Sequence, residues 1–303
     1  MDLIAAMNTF VRVVEAGNFT KAADSLDLPN ATVTRLIQGL EQHLEVRLLQ
    51  RTTRTLTVTP EGATYYERVV RLLTELADIE SSAKQSLTTP SGRIRVEAPA
   101  TIGTMVLLPA MGDFYRAYPG VEVDLGTSNR KSDLIAEGVD CAIRAGNIVE
   151  ESLVARRIGE FRFTTCASPQ FLATHGAPAT PDELKTRTTI GMLSSHTGRA
   201  HPFRFSNDSG EVQVPPSNRL LLNDTNAYLA AGLTGLGIIQ APAYAVHAAL
   251  ESGRLVAVLE DWQTPTIPVH VIYPPNRFLS AKVRVFIDWV VDLFERHPHL
   301  RRS

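Results

Sequence analysis

The sequence predicts a multidomain chain: an all-α N-terminal region with a short hairpin and a long helix, then an α/β region folded as two lobes. Three observations point there. Up to residue 87 apolar positions recur at helical spacing, and residues 88–92 (TTPSG) then read as a linker. From Arg93 onward strand-like and helix-like runs alternate. The length, 303 residues, exceeds what one ordinary core organises.

Composition narrows the class. Hydrophobic residues make up 44% and charged residues 20%, a globular balance rather than a disordered one. No run approaches 18 consecutive apolar residues, so no membrane span is expected. Asp2 occupies the place of a signal peptide's basic region, and Asn8, Arg12 and Glu15 interrupt the apolar positions, so a cytoplasmic protein is expected. Cys141 and Cys166 are too few for a disulfide scaffold or a structural zinc site. They read as ordinary buried thiols, with a redox switch as the other reading. The net charge of −2 does not advertise nucleic acid, and residues 1–62 hold six basic and seven acidic side chains. The basic charge is local: Arg47, Arg51 and Arg54 have no acid near them from 46 to 60. A nucleic-acid argument therefore rests on placement.

Residues 3–16 form the first expected helix, with Leu3, Met7, Phe10, Val11 and Val14 in step and Gly17 as its stop. Thr20 can cap a second helix over 21–26, and Leu28-Pro29-Asn30 is a turn. A third helix spans about 31–44. At 100° per residue Val33, Ile37, Leu40 and Leu44 share one face. Ala31, Arg35 and Gln38 lie nearly opposite, with Thr34 at the edge. That short polar face carries the donors a helix in a major groove needs; for an isolated helix, a solvated face would be the alternative. A hairpin follows over about 47–59, with Arg51, Thr52 and Arg54 at its bend, able to hold phosphates or enter a minor groove.

Pro60-Glu61-Gly62 opens a long helix to about 87. Tyr65, Val69, Leu72, Leu76, Ile79 and Ala83 make an a/d seam over nearly three heptads. Such a stripe pairs with its copy in another subunit, through Val69, Leu72, Leu76 and Ile79, or packs on its own domain. Beyond the linker, strands at 93–98, 121–125 and 140–144 alternate with helices at 101–118 and 132–138, a parallel α/β unit. A similar unit occupies about 163–266, with a helix at 224–233, a strand at 237–240 and a helix at 244–252. A last strand at 269–273 and helix at 280–295 lack a domain of their own and return to the first unit. The expected division is 1–62, 63–90 and 91–303. Within the last part, one lobe comprises about 91–162 with 267–303 and the other about 163–266.

Several chemical signals fail. Gly232, Gly235 and Gly237 follow a helix and precede a strand, the reverse of a dinucleotide loop. His196 and His201 lack the spacing and neighbours of metal ligands, and no metal or cofactor is expected. There is no G-x-S-x-G elbow, and Ser194 and Ser195 beside His196 lack a third group. An enzyme using the cleft, or a binding protein without gene control, would need a catalytic motif or an account of residues 1–87.

The elements GNFTKAA, ATVTRLIQGLE and VRLLQRTTR, within residues 10–62, together resemble the LysR-type transcriptional regulator family. APATIGTMVLLP, YPGVEVDL, GVDCAIRAG and GLTGLGIIQAP resemble its effector domain, so the likeness runs over essentially the whole chain. It implies a winged helix-turn-helix and a long linker helix, then a two-lobed domain like the type 2 periplasmic binding proteins. It implies double-stranded operator DNA, a homodimer or homotetramer, a small-molecule effector between the lobes and, for an activator, contact with RNA polymerase. The family's base-contacting helix falls on Asn30, Ala31, Thr34 and Arg35, and its wing on Arg51 and Arg54. Many members have Ser at the position of Pro29 and Gln-Pro at Asn30-Ala31; Asn30 can still cap the helix.

For the effector, ligands in open α/β sheets lie beyond the C-terminal strand ends. That selects Thr101, Ile102 and Thr104, then Ser128 and Asn129, then Arg144 and Gly146. The resemblance adds Thr197, Arg199, Asp224 and Thr225 from the other lobe. Helix N-termini among these favour an anion, with Arg144 or Arg199 adding charge; an ordinary ion pair is the other reading of Arg144.

Overall fold

The structure is a computed structural model that describes all residues except 52–55, 85–89, 131–132, 149, 151, 196, 208–209, 218, 276–278 and 303. For residues 51, 71, 74–75 and 77–84 it describes the backbone alone. Thr52 and Arg54 of the expected hairpin tip, His196, and the start of the helix expected at 132 therefore lie outside the described residues. The chain divides into two compact units, Met1–Thr88 and Thr89–Ser303.

In the first unit α1 (Leu3–Ala16) starts where the Asp2 carboxylate accepts the Ala5 N–H and ends at Gly17, whose φ of 62° only glycine adopts freely. The next cap corrects an expectation. Asn18, not Thr20, caps α2 (Phe19–Leu26), its amide oxygen accepting from the N–H groups of Thr20 and Lys21. Asn18 holds the extended backbone a cap requires, whereas Thr20 is already helical. Asn30 does not cap either. It is the first residue of α3 (Asn30–Leu44), Pro29 holds the cap position without a side-chain bond, and Asn30 Nδ2 instead donates to Thr20 Oγ1 at 3.1 Å.

Strands β1 (Leu49–Arg51) and β2 (Leu56–Val58) pair antiparallel, Leu49 opposite Val58. Buried Thr59 then opens α4 (Pro60–Lys84): its hydroxyl donates to the Arg47 carbonyl at 2.8 Å and accepts from the Gly62 N–H at 2.9 Å. Phe10, Val33, Ile37, Leu40 and Leu48 form the core of this unit. Tyr65 and Tyr66 pack against that core, Tyr65 edge-on to Phe10 at 5.6 Å. Val69 is 3% exposed in a single chain, so it is no part of an open seam, which corrects its assignment to dimerisation. Leu72, in contrast, is 49% exposed.

The second unit begins with β3 (Ser91–Ala98). One continuous helical run follows, made of α5 (Ala100–Ile102), a π-turn (Gly103–Leu107) and α6 (Leu108–Ala117). Then come β4 (Gly120–Thr127), α7 (Leu134–Glu137), β5 (Cys141–Ala145) and β6 (Val154–Phe161). The second lobe holds β7 (Phe163–Ala167), α8 (Pro169–His175), β8 (Gly191–Met192), β9 (Phe203–Asn207), β10 (Gly210–Val214) and β11 (Leu221–Leu222). It continues through α9 (Thr225–Leu233), β12 (Ile239–Pro242), α10 (Ala243–Glu251) and β13 (Val256–Ala257). The chain then returns to the first lobe with β14 (Ile267–Tyr273) and α11 (Ala281–Arg296).

The first lobe's sheet has the order β4-β3-β5-β14-β6. β4, β3 and β5 run parallel, and β14 is antiparallel to β5 and β6. Phe114 of α6 and Phe286, Val290 and Phe294 of α11 cover it, over Ile94, Val96, Ile143 and Val271. The second lobe mixes the expected parallel pairing with antiparallel strands. Its central β7 pairs antiparallel with both β12 and β13, and β9 and β10 form a hairpin. Among its described residues β8 runs parallel to β11 over two residues, and Thr189, just before β8, bridges Ile238, just before β12, in the parallel sense.

Gly62 supplies a test of the first unit. A Cβ there would lie 2.1 Å from the Leu48 carbonyl oxygen and 3.0 Å from Val58 Cγ1. Gly62→Ala should cost about 1–3 kcal/mol, read as a lower urea midpoint, because backbone rather than a flexible side chain blocks the methyl. An unchanged midpoint would mean that the hairpin and α4 shift freely against each other.

Candidate functional site

In the first unit one helix faces two ways. Val33, Ile37 and Leu40 of α3 are fully buried, while Asn30, Ala31, Arg35 and Gln38 are exposed and Thr34 is half-buried. Burial of three aliphatic side chains, about 1.5–3 kcal/mol each, fixes the rotation of the helix and so the direction of its polar face. Glu41 fixes the neighbouring hairpin. Its Oε1 accepts the N–H groups of Leu48 and Leu49, at 2.9 and 3.0 Å. The last turns of α3 and the start of β1 are thereby one rigid piece.

In the second unit a cavity of about 480 Å³ opens between the lobes. The chain crosses between lobes at 161–163 and again at 264–267. Thr264 laces the crossings: its hydroxyl donates to the Phe163 carbonyl at 2.8 Å, and its oxygen accepts the Phe163 N–H at 3.1 Å. Phe161, Phe163, Pro265 and Ile267 of these segments line the cavity. Further contacts bridge the lobes. Thr101 Oγ1 and the Tyr244 hydroxyl are 2.9 Å apart and buried, Asn129 Nδ2 donates to Thr225 Oγ1 at 2.6 Å, and Thr104 Oγ1 lies 3.3 Å from Asn226 Oδ1.

The lining is cationic on its polar side. Arg130, Arg144 and Arg204 line the cavity with His201, and none of the described lining residues carries a carboxylate. Arg144 pairs with Glu97 at 2.8 Å, both side chains mostly buried. Burial first, and then Arg204, lower the His201 pKa and favour its neutral ring. Burial pushes the Tyr244 hydroxyl up to about 12, so it is a neutral partner for Thr101. Cys141 and Cys166 are both fully buried, and burial raises both thiols, Cys166 to about 12. Neither is a thiolate at neutral pH, which fits the ordinary reading of both.

Known proteins resolve the family. A family model described as "Bacterial regulatory helix-turn-helix protein, lysR family" matches residues 4–63, and one described as "LysR substrate binding domain" matches residues 88–295. The chain belongs to the LysR family. It is 38% identical over 304 residues to an HTH-type transcriptional repressor of Pseudomonas aeruginosa, across 99% of this chain and 95% of that protein. It is 31% identical over 302 residues to the HTH-type transcriptional activator AaeR of Escherichia coli, across 97% of this chain and 94% of that protein. The full-length structure of the Vibrio cholerae virulence activator AphB is similar at 33% identity and a TM-score of 0.62, covering 96% of this chain and 99% of that one. This LysR-type transcriptional regulator thus joins a helix-turn-helix DNA-binding domain to an effector-binding domain.

The regulator's cavity gathers part of the expected effector set. Thr101, Ser128, Arg144 and Thr225 line it, as does Asn129. The others lie outside the lining. Ile102 is fully buried in the first-lobe core, and Gly146 is half-buried beyond β5. Thr104 bonds the Ala100 carbonyl. Thr197 and Arg199 are exposed in a turn closed by the Ser194 N–H on the Arg199 carbonyl. Asp224 caps α9 through the Ala227 N–H. Phe161, Phe163, Arg204, Gln240 and Tyr244 line the cavity without having been expected. The two phenylalanines flank Arg162, where one strand ends and the next begins, and nothing local distinguishes them from other strand hydrophobics.

The Thr101–Tyr244 contact can be tested by a double-mutant cycle. Tyr244→Phe leaves a buried hydroxyl on Thr101 short of a partner, and Thr101→Val does the converse, each costing about 1–3 kcal/mol. The pair Thr101→Val with Tyr244→Phe should cost less than the sum, measured by urea unfolding. Strict additivity would deny the bond any energetic weight.

Proposed function

We propose that this protein reads operator DNA with the exposed face of α3 and alters that binding when a small organic anion fills the interlobe cavity. The observation that carries the DNA half is the opposition of Asn30, Ala31, Arg35 and Gln38 to buried Val33, Ile37 and Leu40 on one helix. Arg35 is the main reader, because a guanidinium reaches a guanine O6/N7 pair, with Thr34 beside it. Arg51, Thr52 and Arg54 hold phosphates next to that groove. The effector half rests on Arg130 and Arg204 in the lining and the lack of acids among the described lining residues. The protein is a regulator rather than an enzyme and works in the cytoplasm, where its DNA is. RNA polymerase is its partner at promoters that it activates.

The regulator works as a homodimer or homotetramer, paired through α4. Leu72 is 49% exposed and Leu76 half-buried, and Ile79 continues their register. With Val69 already covered, the pairing seam begins at Leu72.

Footprinting upstream of its own gene and the divergent neighbour identifies the operator. On that operator Arg35→Ala should flatten preference at one base pair per half-site, a loss of about 1–3 kcal/mol, with little change on random DNA. An equal loss on both DNAs would demote Arg35 to a phosphate contact. Leu72→Glu with Leu76→Glu should lower the sedimentation mass and remove most operator affinity, since one recognition helix alone meets one half-site. A double variant with unchanged mass and affinity would move the pairing off α4.

A further inference from the structure

Resting on the cavity being the effector site, we propose that the effector is an amphipathic aryl acid. Its ring lies against Phe161, Phe163 and Tyr244, and its anionic end is held by Arg130 and Arg204 from opposite lobes, not by Arg144.

The aromatic wall is built and fixed. Phe161 is its centre, edge-on to Phe163 at 5.4 Å and to Tyr244 at 5.3 Å, and all three line the cavity. Phe161 is 6% exposed and Tyr244 4%. The Tyr244 hydroxyl is engaged by Thr101, and the Tyr228 hydroxyl by the Gln240 N–H at 3.0 Å, so both tyrosines can offer the cavity ring surface. A sugar or a short dicarboxylate would press polar groups against this wall without partners. A ring fills it with edge-to-face contacts of the kind the three side chains already make. The volume of about 480 Å³ suits a substituted aryl acid better than a two-carbon anion.

The charge belongs to the exposed arginines. Arg144 has Glu97 at 2.8 Å, which neutralises it within the wall. Arg130 and Arg204 are exposed and have no carboxylate partner among the described residues. Arg130 follows β4 in the first lobe, just past Ser128, whose hydroxyl accepts its N–H at 3.1 Å. Arg204 is on β9 in the second lobe. Gln240 holds the Arg204 backbone from both sides, accepting its N–H at 2.9 Å and donating to its carbonyl at 3.2 Å. Gln240 is thus a positioning residue for that guanidinium. An anion that engages one arginine from each lobe favours the closed arrangement, which gives the ligand the differential affinity that a switch requires. A neutral ring of the same shape fills the wall and lacks that grip.

The test uses the full-length protein and three probes in calorimetric titrations: 2-naphthoate, its neutral amide 2-naphthamide, and glutarate, which has charge and no ring. The expected result is naphthoate binding at least tenfold tighter than either of the others. Arg130→Gln and Arg204→Gln should each weaken naphthoate about tenfold or more, in line with the loss of one charge-assisted bond, and leave naphthamide unchanged. Phe163→Trp supplies a fluorescence reporter inside the cavity. Glutarate or naphthamide matching naphthoate while perturbing that reporter would overturn the aryl-acid assignment and leave the cavity as the effector site. Naphthoate that binds without perturbing the reporter and ignores both arginine changes would overturn the assignment and the site together. No binding by any probe also overturns the assignment.

Discussion

The effector-binding unit depends on a double crossing. The chain leaves the first lobe at Phe161 and returns at Ile267, and one threonine, Thr264, bonds the Phe163 backbone through both its donor and its acceptor. That bond forces the returning segment to run beside the outgoing one. β14 then enters the sheet between β5 and β6, and α11 covers the sheet with its phenylalanines. The tail follows: Gly159, whose Cβ would lie 2.2 Å from the Leu300 carbonyl oxygen, lets that oxygen accept the Glu160 N–H at 2.9 Å. A cavity at such a crossing is lined by the backbone-constrained residues on either side of it. Its aromatic wall is therefore set by the crossing, while its polar residues come from loops, strand ends and helix starts.

The DNA-binding unit solves a related problem with one helix. A recognition helix must expose donors and yet be held without rotation. α3 meets both needs by spending one stripe on the core and leaving the opposite stripe bare. Glu41 lies between these stripes and accepts two backbone N–H groups of the hairpin, as a carboxylate can and an aliphatic side chain cannot. Asn30 is similarly divided. It is on the exposed face but donates to Thr20, so its amide is tethered.

The elements were far more legible than the caps, the strand directions or the cavity wall. Val33, Ile37 and Leu40 give three in-phase positions, which suffices to orient α3. Caps depend on the backbone of a single residue, and Asn18 and Thr20 are two competent candidates two positions apart. In the second lobe β8, β11 and β13 are two residues long, too short for periodicity to mark them or their direction. The alternation of Phe203 and Phe205 with Arg204 and Ser206 is a true strand signal, though brief, and it carries Arg204 to the cavity. Phe161 and Phe163 look like any strand hydrophobics. What makes them cavity wall is a partner segment a hundred residues later, which no local pattern encodes.

The same distinction separates charge that is present from charge that is available. Read by position, Arg144 at the end of β5 is the natural anion ligand of an open α/β sheet. Glu97 on the adjacent β3 removes that availability, because a carboxylate 2.8 Å away in a mostly buried setting satisfies the guanidinium before any ligand arrives. A fixed pair of this kind orients the strand ends and presents little net field to the cavity. The arginines that retain their field are those at its exposed edges. On the aryl-acid proposal, electrostatic recognition therefore belongs to these exposed arginines and shape recognition to the buried aromatic wall. Under that proposal a ligand is selected for its ring while its charge bridges the two lobes.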